Sequence, residues 1–199
     1  MIASTSAALG LRWLNLAFGL AWIVFLLVWV AVMGFTKPQS RTIPTFKRVF
    51  QSLVLIAGFW LIFDPRLRIA WLDTSLWHLT TSVAIAGIVV TWAGVLFAIW
   101  ARFTLGSNWS ARPMVKVNHE LVVKGPYRLA RHPIYTGLLF AGLGSAILAD
   151  RTIVIPGMIL VLVGLMMKIA QEERLMVETF PSAYPEYRGH VKALIPFLL

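Results

Sequence analysis

The sequence predicts an all-α, polytopic membrane protein with about five transmembrane helices. Hydrophobic residues make up 59% of the 199 positions, and the mean hydropathy is +0.78. Only 13% of the residues are charged, whereas a soluble domain carries about a quarter. Several apolar runs are long enough to cross a bilayer as helices. These observations together exclude an ordinary soluble domain.

Five apolar segments are the candidate spans: residues 9–35, 49–63, 76–103, 134–149 and 152–170. The first is too long for a cleaved signal peptide and has no small-residue cleavage site after it, so we expect it to be retained. The second starts near Phe46. Asp64-Pro65 ends it, because proline disfavours helix at the residue before it.

The polar segment 104–131 separates the third and fourth spans. Asp150-Arg151 forms a short turn between the fourth and fifth, and the tail from Gln171 is polar and amphipathic. Small residues let membrane helices approach closely, so glycines on both helices predict a tight hairpin: Gly137, Gly142, Gly144, Gly157 and Gly164. Without a repeat or linker, we expect one membrane domain (1–199), with a two-helix amino-terminal part (1–75) and a core (76–199).

The charge distribution predicts the orientation. With five spans, the loop 36–48, the segment 102–131 and the tail from Lys168 share one side and carry 14 of the 18 lysines and arginines. The other side carries 4. Basic residues are enriched on the cytoplasmic side of membrane proteins. We therefore expect a protein of the inner (cytoplasmic) membrane, with its amino terminus outside and its tail in the cytoplasm.

The same charges argue against other functions. The net charge of +10 follows the predicted topology, and this favours contacts with anionic lipid over nucleic acid. The chain has no cysteine, and its four histidines (78, 119, 132 and 190) are scattered without metal-binding spacing. Disulfides and thiolate chemistry are therefore excluded, and no metal site is predicted.

Two polar clusters flank the fourth and fifth spans. The first extends from His119 to Gly137, and the second is Lys168 to Arg174. Since the two spans are antiparallel neighbours, both clusters lie at the same end. Lys168 and Glu172, four residues apart, share one helix face, and ionisable residues at membrane depth are usually functional. We therefore predict a pocket on the cytoplasmic side, formed by the carboxy-terminal half.

Each of these residues also has a simpler interpretation. Lys168 could extend to the membrane surface while paired with Glu172. Glu172-Glu173 could be a solvated charge pair, His132 a helix cap, and the tyrosines ordinary interface residues. Taken together, however, they place aromatic rings, carboxylates and cations around one crevice.

The carboxy-terminal half, about residues 100–199, resembles the isoprenylcysteine carboxyl methyltransferase family. The motifs that carry this resemblance are Leu105-Gly106-Ser107-Asn108-Trp109-Ser110, His119-Glu120-Leu121-Val122, Gly125-Pro126-Tyr127-Arg128, Arg131-His132-Pro133-Ile134-Tyr135-Thr136-Gly137, and Glu172-Glu173 with Phe180, Tyr184 and Tyr187. The Arg-His-Pro-x-Tyr-x-Gly element followed by Glu-Glu at this spacing is a specific signal.

The resemblance implies a membrane methyltransferase that uses S-adenosyl-L-methionine. The positions it implies for binding the donor are His119, Glu120, Leu121, Val122, Tyr127, His132, Pro133, Ile134, Tyr135 and Glu172. We predict Arg131 and Lys168 as the catalytic and substrate-binding residues, which hold the anionic group of the acceptor. Arg112 stands where the family has glutamine. Lys168 stands where the family has arginine, which keeps the charge but loses the bidentate fork.

The function that we expect is methylation of an amphiphilic, lipid-like or prenylated acceptor in the membrane, with an isoprenylcysteine-like carboxylate favoured. The nearest alternative is a phospholipid N-methyltransferase, in which Glu173 or His119 would serve as the base. A reductase on a similar architecture is weaker. A transporter or lipid-binding protein without chemistry is disfavoured because the spans carry few charges away from their cytoplasmic ends. The oligomeric state is left open.

Overall fold

The computed structural model describes residues 2–32, 39–42, 45–67, 69–108, 114–116 and 121–195. The helices in these ranges are α1 (Ile2–Val32), α2 (Thr45–Phe63), α3 (Thr81–Leu105), α4 (Pro133–Ala149), α5 (Val154–Thr179) and α6 (Ala183–His190). Short 3₁₀ turns cover Ala70–Leu72, Gly106–Asn108 and Gly125–Arg128. Two short strands, β1 (Gln39–Thr42) and β2 (Met114–Lys116), pair antiparallel.

The predicted helical membrane fold is confirmed. Four helical stretches are long and apolar enough to span a bilayer: Arg12–Val32, Phe46–Phe63, Thr81–Asn108 and Val154–Thr179. α4 is a shorter apolar helix of 17 residues, about 25 Å at 1.5 Å per residue. Large apolar side chains on the outer faces are exposed, such as Trp13, Leu27 and Ile56, as expected for surfaces that contact lipid.

Close helix packing uses the predicted glycines, but with different partners. A Cβ atom at Gly94 of α3 would lie 2.5 Å from Gly137 O of α4, and one at Gly144 would lie 2.5 Å from Gly87 O. α3 and α4 therefore pack backbone to backbone. The expectation of a tight α4–α5 hairpin is wrong in this respect, because the α4 glycines at 137 and 144 face α3.

The second close pair is α2 with α5. A Cβ atom at Gly58 of α2 would lie 2.9 Å from Gly157 O of α5, and one at Gly164 of α5 would lie 2.7 Å from the Leu55 side chain. The order of these contacts shows that the two helices are antiparallel. α1 packs on α3 around Ala21, and its Trp22 contacts Phe59 and Phe63 of α2.

Two predicted boundaries move. The third span was expected from residue 76, but α3 begins at Thr81, with Thr80 as its N-cap accepting from Val83 N. Asp150 holds the preceding loop by accepting hydrogen bonds from the amides of Leu76 and Trp77 at 3.0 and 2.9 Å. The fifth span was expected to end at residue 170, but α5 continues to Thr179.

This extension matters for the site. A helix needs about 20 residues to cross the hydrocarbon core, so a helix that starts at Val154 leaves the core at about residue 173. Glu172 and Glu173 are therefore held on a rigid helix at the membrane boundary instead of on a flexible tail. The strand pair was not predicted, and it joins the connection after α1 to the connection after α3.

Candidate active site

The site is built around the amino-terminal end of α4. His132 is the N-cap residue and Pro133 occupies the first turn, where the missing amide of proline has no cost. Directly before it, the 3₁₀ turn Gly125–Arg128 buries Pro126 and Tyr127. Gly125 has φ +59°, a value that glycine adopts without strain. The His-Pro break therefore starts the helix as predicted.

His132 lies between two carboxylates of α5. Its Nδ1 is 3.5 Å from Glu172 Oε2, and its Nε2 is 3.4 Å from Glu173 Oε1. The imidazole is buried. Burial by itself lowers the pKa of His132, but hydrogen bonds to Glu172 and Glu173 outweigh it and raise the pKa above its ordinary value of 6.5. The structure thus joins the two predicted clusters through a histidine that favours its charged form.

Tyr135, one turn along α4, contacts both Glu172 and Lys168. Its hydroxyl donates a 2.5 Å hydrogen bond to Glu172 Oε1. Its ring stacks on His132 with centroids 5.7 Å apart and an interplanar angle of 9°. Lys168 Nζ lies over the Tyr135 ring, 5.7 Å from the ring centroid, in a cation–π arrangement. Tyr135 therefore contacts the carboxylate, the imidazole and the ammonium group at once.

Arg131 is engaged by protein acceptors. Its Nε and Nη2 donate to Glu173 Oε1 at 2.9 and 2.7 Å, and its Nη1 donates to the carbonyls of Arg188 and Val191. The Arg131 and Glu173 side chains are only 8% and 10% exposed. All three nitrogens of the guanidinium are therefore committed. The role of Arg131 in holding substrate stays a prediction, and this geometry does not favour it.

The carboxy-terminal segment (residues 188–194) closes one side of the site. The amides of Arg131 and His132 donate to the carbonyls of Lys192 and Ala193 at 2.8 and 2.9 Å. Thr136 Oγ1 donates to Leu194 O at 2.6 Å. The first turn of α4 is thereby tied to the segment. The sequence did not indicate this pairing, because it uses main-chain carbonyls that any residue supplies.

The other predicted donor-binding residues surround Tyr127. Ile134 is buried against Tyr127 and Ala101, and Val122 packs on this cluster. Pro133 is buried and Leu121 is half-buried. Burial raises the pKa of the Tyr127 phenol, with a further contribution from Glu172, so the phenol stays protonated. His119, Glu120 and Arg112 lie outside the described residues, and their predicted roles remain predictions.

Arg102 is a buried cation that sequence reasoning did not single out. It is 2% exposed on α3, and it donates from Nη1 to Gly106 O at 2.9 Å and from Nη2 to Val32 O at 2.8 Å. It therefore caps the ends of α3 and α1 together. An arginine at the end of an apolar helix was the available signal. Within the described ranges no group of three or more metal-ligating side chains occurs.

The residues around Glu172 can hold a ligand that carries positive charge. The Glu172 side chain is 21% exposed, and a carboxylate offers about four acceptor positions. Tyr135 uses one of them, and His132 approaches another at 3.5 Å. The carboxylate lies beside the stacked imidazole and phenol rings of His132 and Tyr135. This combination suits a cationic ligand with a flat aromatic part.

Comparisons with known proteins identify the same region. Residues 85–178 match the model of the isoprenylcysteine carboxyl methyltransferase (ICMT) family. A "probable protein-S-isoprenylcysteine O-methyltransferase" of Oryza sativa subsp. indica is 29% identical over 119 residues, which are 58% of this chain and 62% of that protein. Methanethiol S-methyltransferase 1 of Bradyrhizobium diazoefficiens is 25% identical over 177 residues, which are 81% of this chain and 56% of that protein.

A solved structure shows the same fold. The structure of the eukaryotic intramembrane Ras methyltransferase ICMT matches with a TM-score of 0.50 and 26% identity, over 77% of this chain and 52% of that chain. The chain thus spans between 52% and 62% of the length of these three proteins. The family match, the relatives and the solved fold therefore agree that this chain, through residues 85–178, is similar to the isoprenylcysteine carboxyl methyltransferase family.

Proposed function

We propose that this protein is a membrane methyltransferase that uses S-adenosyl-L-methionine and acts on an amphiphilic acceptor in the bilayer. The observation that carries the proposal is the contact of Glu172 with both His132 and Tyr135 at the membrane boundary. These residues lie within the segment that matches the family. The relatives named above are methyltransferases by name, although their acceptors differ.

In this proposal Glu172 holds the ammonium end of the donor, and the stacked rings of His132 and Tyr135 contact its adenosyl part. Tyr127, with Leu121, Val122, Pro133 and Ile134, forms the apolar remainder of the wall. When bound, the donor would supply the methyl group of its sulfonium to the acceptor in one in-line displacement, with the neutral thioether S-adenosylhomocysteine as the leaving group. The contribution of the protein is alignment of the two reactants and exclusion of water, which can supply about 7–11 kcal/mol of the barrier.

Lys168 is the cation that we assign to the acceptor. The Arg131 guanidinium is bound by Glu173 and main-chain carbonyls, and the Lys168 ammonium lies over the Tyr135 ring. A carboxylate acceptor is favoured because it attacks as an anion and needs no base. An amine acceptor, as in a phospholipid N-methyltransferase, needs one, and Glu173 is bound to Arg131 while His132 favours its protonated form.

We further propose that the whole chain is one membrane domain whose site faces the cytoplasm, with a prenylated or lipid-like acceptor entering from the inner leaflet. The 14-to-4 distribution of basic residues supports this orientation.

The experiment is calorimetry on the protein in nanodiscs. Wild type is expected to bind S-adenosyl-L-methionine, and Glu172→Ala or His132→Ala is expected to lose binding while the protein still inserts. Glu186→Gln, an exposed carboxylate on α6, is the control and should bind normally. Donor affinity that is unchanged in both site variants would contradict the proposal.

The acceptor class is tested with labelled donor and extracted membranes. A methyl ester releases volatile label in mild base, whereas a methylated amine or thiol keeps its label. Base-labile label in the lipid fraction supports the carboxylate. Stable label in the phospholipids would instead favour N-methylation.

A further inference from the structure

A buried glutamine on α2 has no explanation in the site described so far. Gln51 is only 4% exposed on an apolar membrane helix. Burying a polar side chain is costly, and polar groups buried in membrane helices usually have a function. Gln51 also lies outside residues 85–178, the part that matches the family.

The packing of α2 on α5 shows where Gln51 lies. The contacts along this antiparallel seam pair Ile62 with Gly157, Gly58 with Val161, and Leu55 with Gly164. On α2 the seam positions are 62, 58 and 55, so the next position on the same face is 51. On α5 the positions are 157, 161 and 164, so the next are 168 and 171.

The seam therefore changes from small and apolar residues to polar ones at its cytoplasmic-side end. Gln51 stands level with Lys168, and Gln171 follows one turn later on α5. The side-chain carbonyl oxygen of Gln171 is buried, and among the described residues it accepts no hydrogen bond. Two glutamines thus fall on this seam together with Lys168: Gln51, which is buried, and Gln171, whose side-chain oxygen is buried without a hydrogen-bond partner in the described part of the chain.

Tyr135 connects this end of the seam to the donor side. It packs on the cluster of Ile62, Val161 and Leu165, which Leu55 also joins, and its ring lies under Lys168. Tyr135 also packs against the cluster of Ala101, Tyr127 and Ile134, so it contacts both this end of the seam and the apolar wall around Tyr127. An acceptor placed there would approach the donor across Tyr135.

We propose that α2 takes part in acceptor recognition, with Gln51 and Gln171 as specificity-determining residues beside Lys168; this inference rests on the proposed function. The chemistry of the three groups defines the head of the acceptor. Lys168 selects an anion, the Gln51 amide donates a hydrogen bond to it, and the Gln171 oxygen accepts one from a neighbouring N–H or O–H. The acceptor head therefore carries an anionic group beside a hydrogen-bond donor, on an apolar chain.

A matched pair of probes isolates that donor. N-decanoylglycine has a carboxylate beside an amide N–H, and N-decanoylsarcosine differs by a methyl group on that nitrogen, which removes the N–H. Both are titrated below their micelle concentrations into protein in nanodiscs of zwitterionic lipid. Wild type is expected to bind the glycine probe about tenfold more tightly, the effect of about 1.4 kcal/mol.

The variants separate the two residues. Gln171→Leu is expected to lose this discrimination by weakening the glycine probe alone. Gln51→Leu is expected to weaken both probes, by about fivefold to tenfold, because its amide contacts the shared carboxylate. Ser52→Ala, at the exposed neighbouring position on α2, is the matched control and should bind both probes as wild type does.

Donor binding separates this inference from the proposed function. Gln51→Leu and Gln171→Leu are expected to bind S-adenosyl-L-methionine with wild-type affinity, which also shows that they are folded. Wild-type affinity of both variants for both probes, or equal binding of the two probes by wild type, overturns the inference. A wild-type protein that binds the probes but not the donor would overturn the proposed function and leave the acceptor site in place.

Discussion

Replacing Tyr135 with phenylalanine removes one hydroxyl from the site and keeps the ring. That hydroxyl donates a hydrogen bond of 2.5 Å to Glu172 Oε1, a length typical of a bond to an ionised carboxylate. The ring contacts with His132 and Lys168, both at 5.7 Å, do not need the hydroxyl. The substitution therefore tests whether this single bond orients Glu172 toward the donor.

The expected loss of donor affinity can be estimated because Glu172, which accepts this hydrogen bond, is a charged group. Hydrogen bonds to charged groups contribute about 1.5–3 kcal/mol, and 1.4 kcal/mol corresponds to a factor of about ten in Kd. If Glu172 binds the donor only in the orientation that Tyr135 fixes, the Kd for S-adenosyl-L-methionine rises about 10- to 150-fold in Tyr135→Phe.

The assay is calorimetry in nanodiscs, with S-adenosylhomocysteine as a second ligand that cannot react. Tyr187→Phe is the matched comparison, because its hydroxyl donates to the main-chain carbonyl of Tyr127. That bond is neutral and contributes about 0.5–1.5 kcal/mol, so the loss in donor affinity is expected to be at most about tenfold. A Tyr135→Phe variant that binds both ligands as wild type does refutes the orienting role of the hydroxyl.

Three further predictions concern stability. The pKa of His132 is raised in the folded state. Its stabilising contribution is therefore present below about pH 6.5 and is lost as the pH rises through the folded pKa. The melting temperature of wild type should fall over that range, and that of His132→Asn should not. Asp150, at φ 45°, accepts hydrogen bonds from the loop that includes Trp77, so Asp150→Ala should destabilise the protein by about 2 kcal/mol or more, whereas Asp150→Asn, which tolerates this backbone conformation, should cost less in the same melting assay. Gly94→Ala forces a methyl group into the backbone of α4 and should destabilise by at least about 1–3 kcal/mol, while Gly19→Ala, with open space around it, should have little effect on unfolding in detergent titrations.

The local features of the chain were predictable because they depend on the chain and its solvent alone. Apolar runs of membrane length predicted the helical membrane fold, and the His132-Pro133 break predicted where α4 begins. The contact of Glu172-Glu173 with His132 was also predictable, although these residues are far apart in the chain, because two consecutive spans bring their ends to the same side. The family motifs then identified the chemistry that such a cluster can perform.

The partners of individual residues were not predictable in the same way. The glycines of α4 and α5 signalled close packing, but a glycine has no side chain that selects a partner, and it is α3 and α2 that approach them. Arg131 carries the charge expected of a substrate residue, yet its guanidinium is bound by Glu173 and by carbonyls of the carboxy-terminal segment. Main-chain acceptors leave no trace in the sequence.

The sequence by itself determined that the chain crosses a membrane, where its helices break, and which residue types meet at the end of α4. Only the tertiary structure decided that Glu173 binds Arg131 while Lys168 lies over the Tyr135 ring, and which faces of α2 and α5 pack together. The physical reason is that the residues on one helix face recur with the helical period, so the sequence itself shows them. Which other helix packs on that face depends on shape complementarity between segments far apart in the chain.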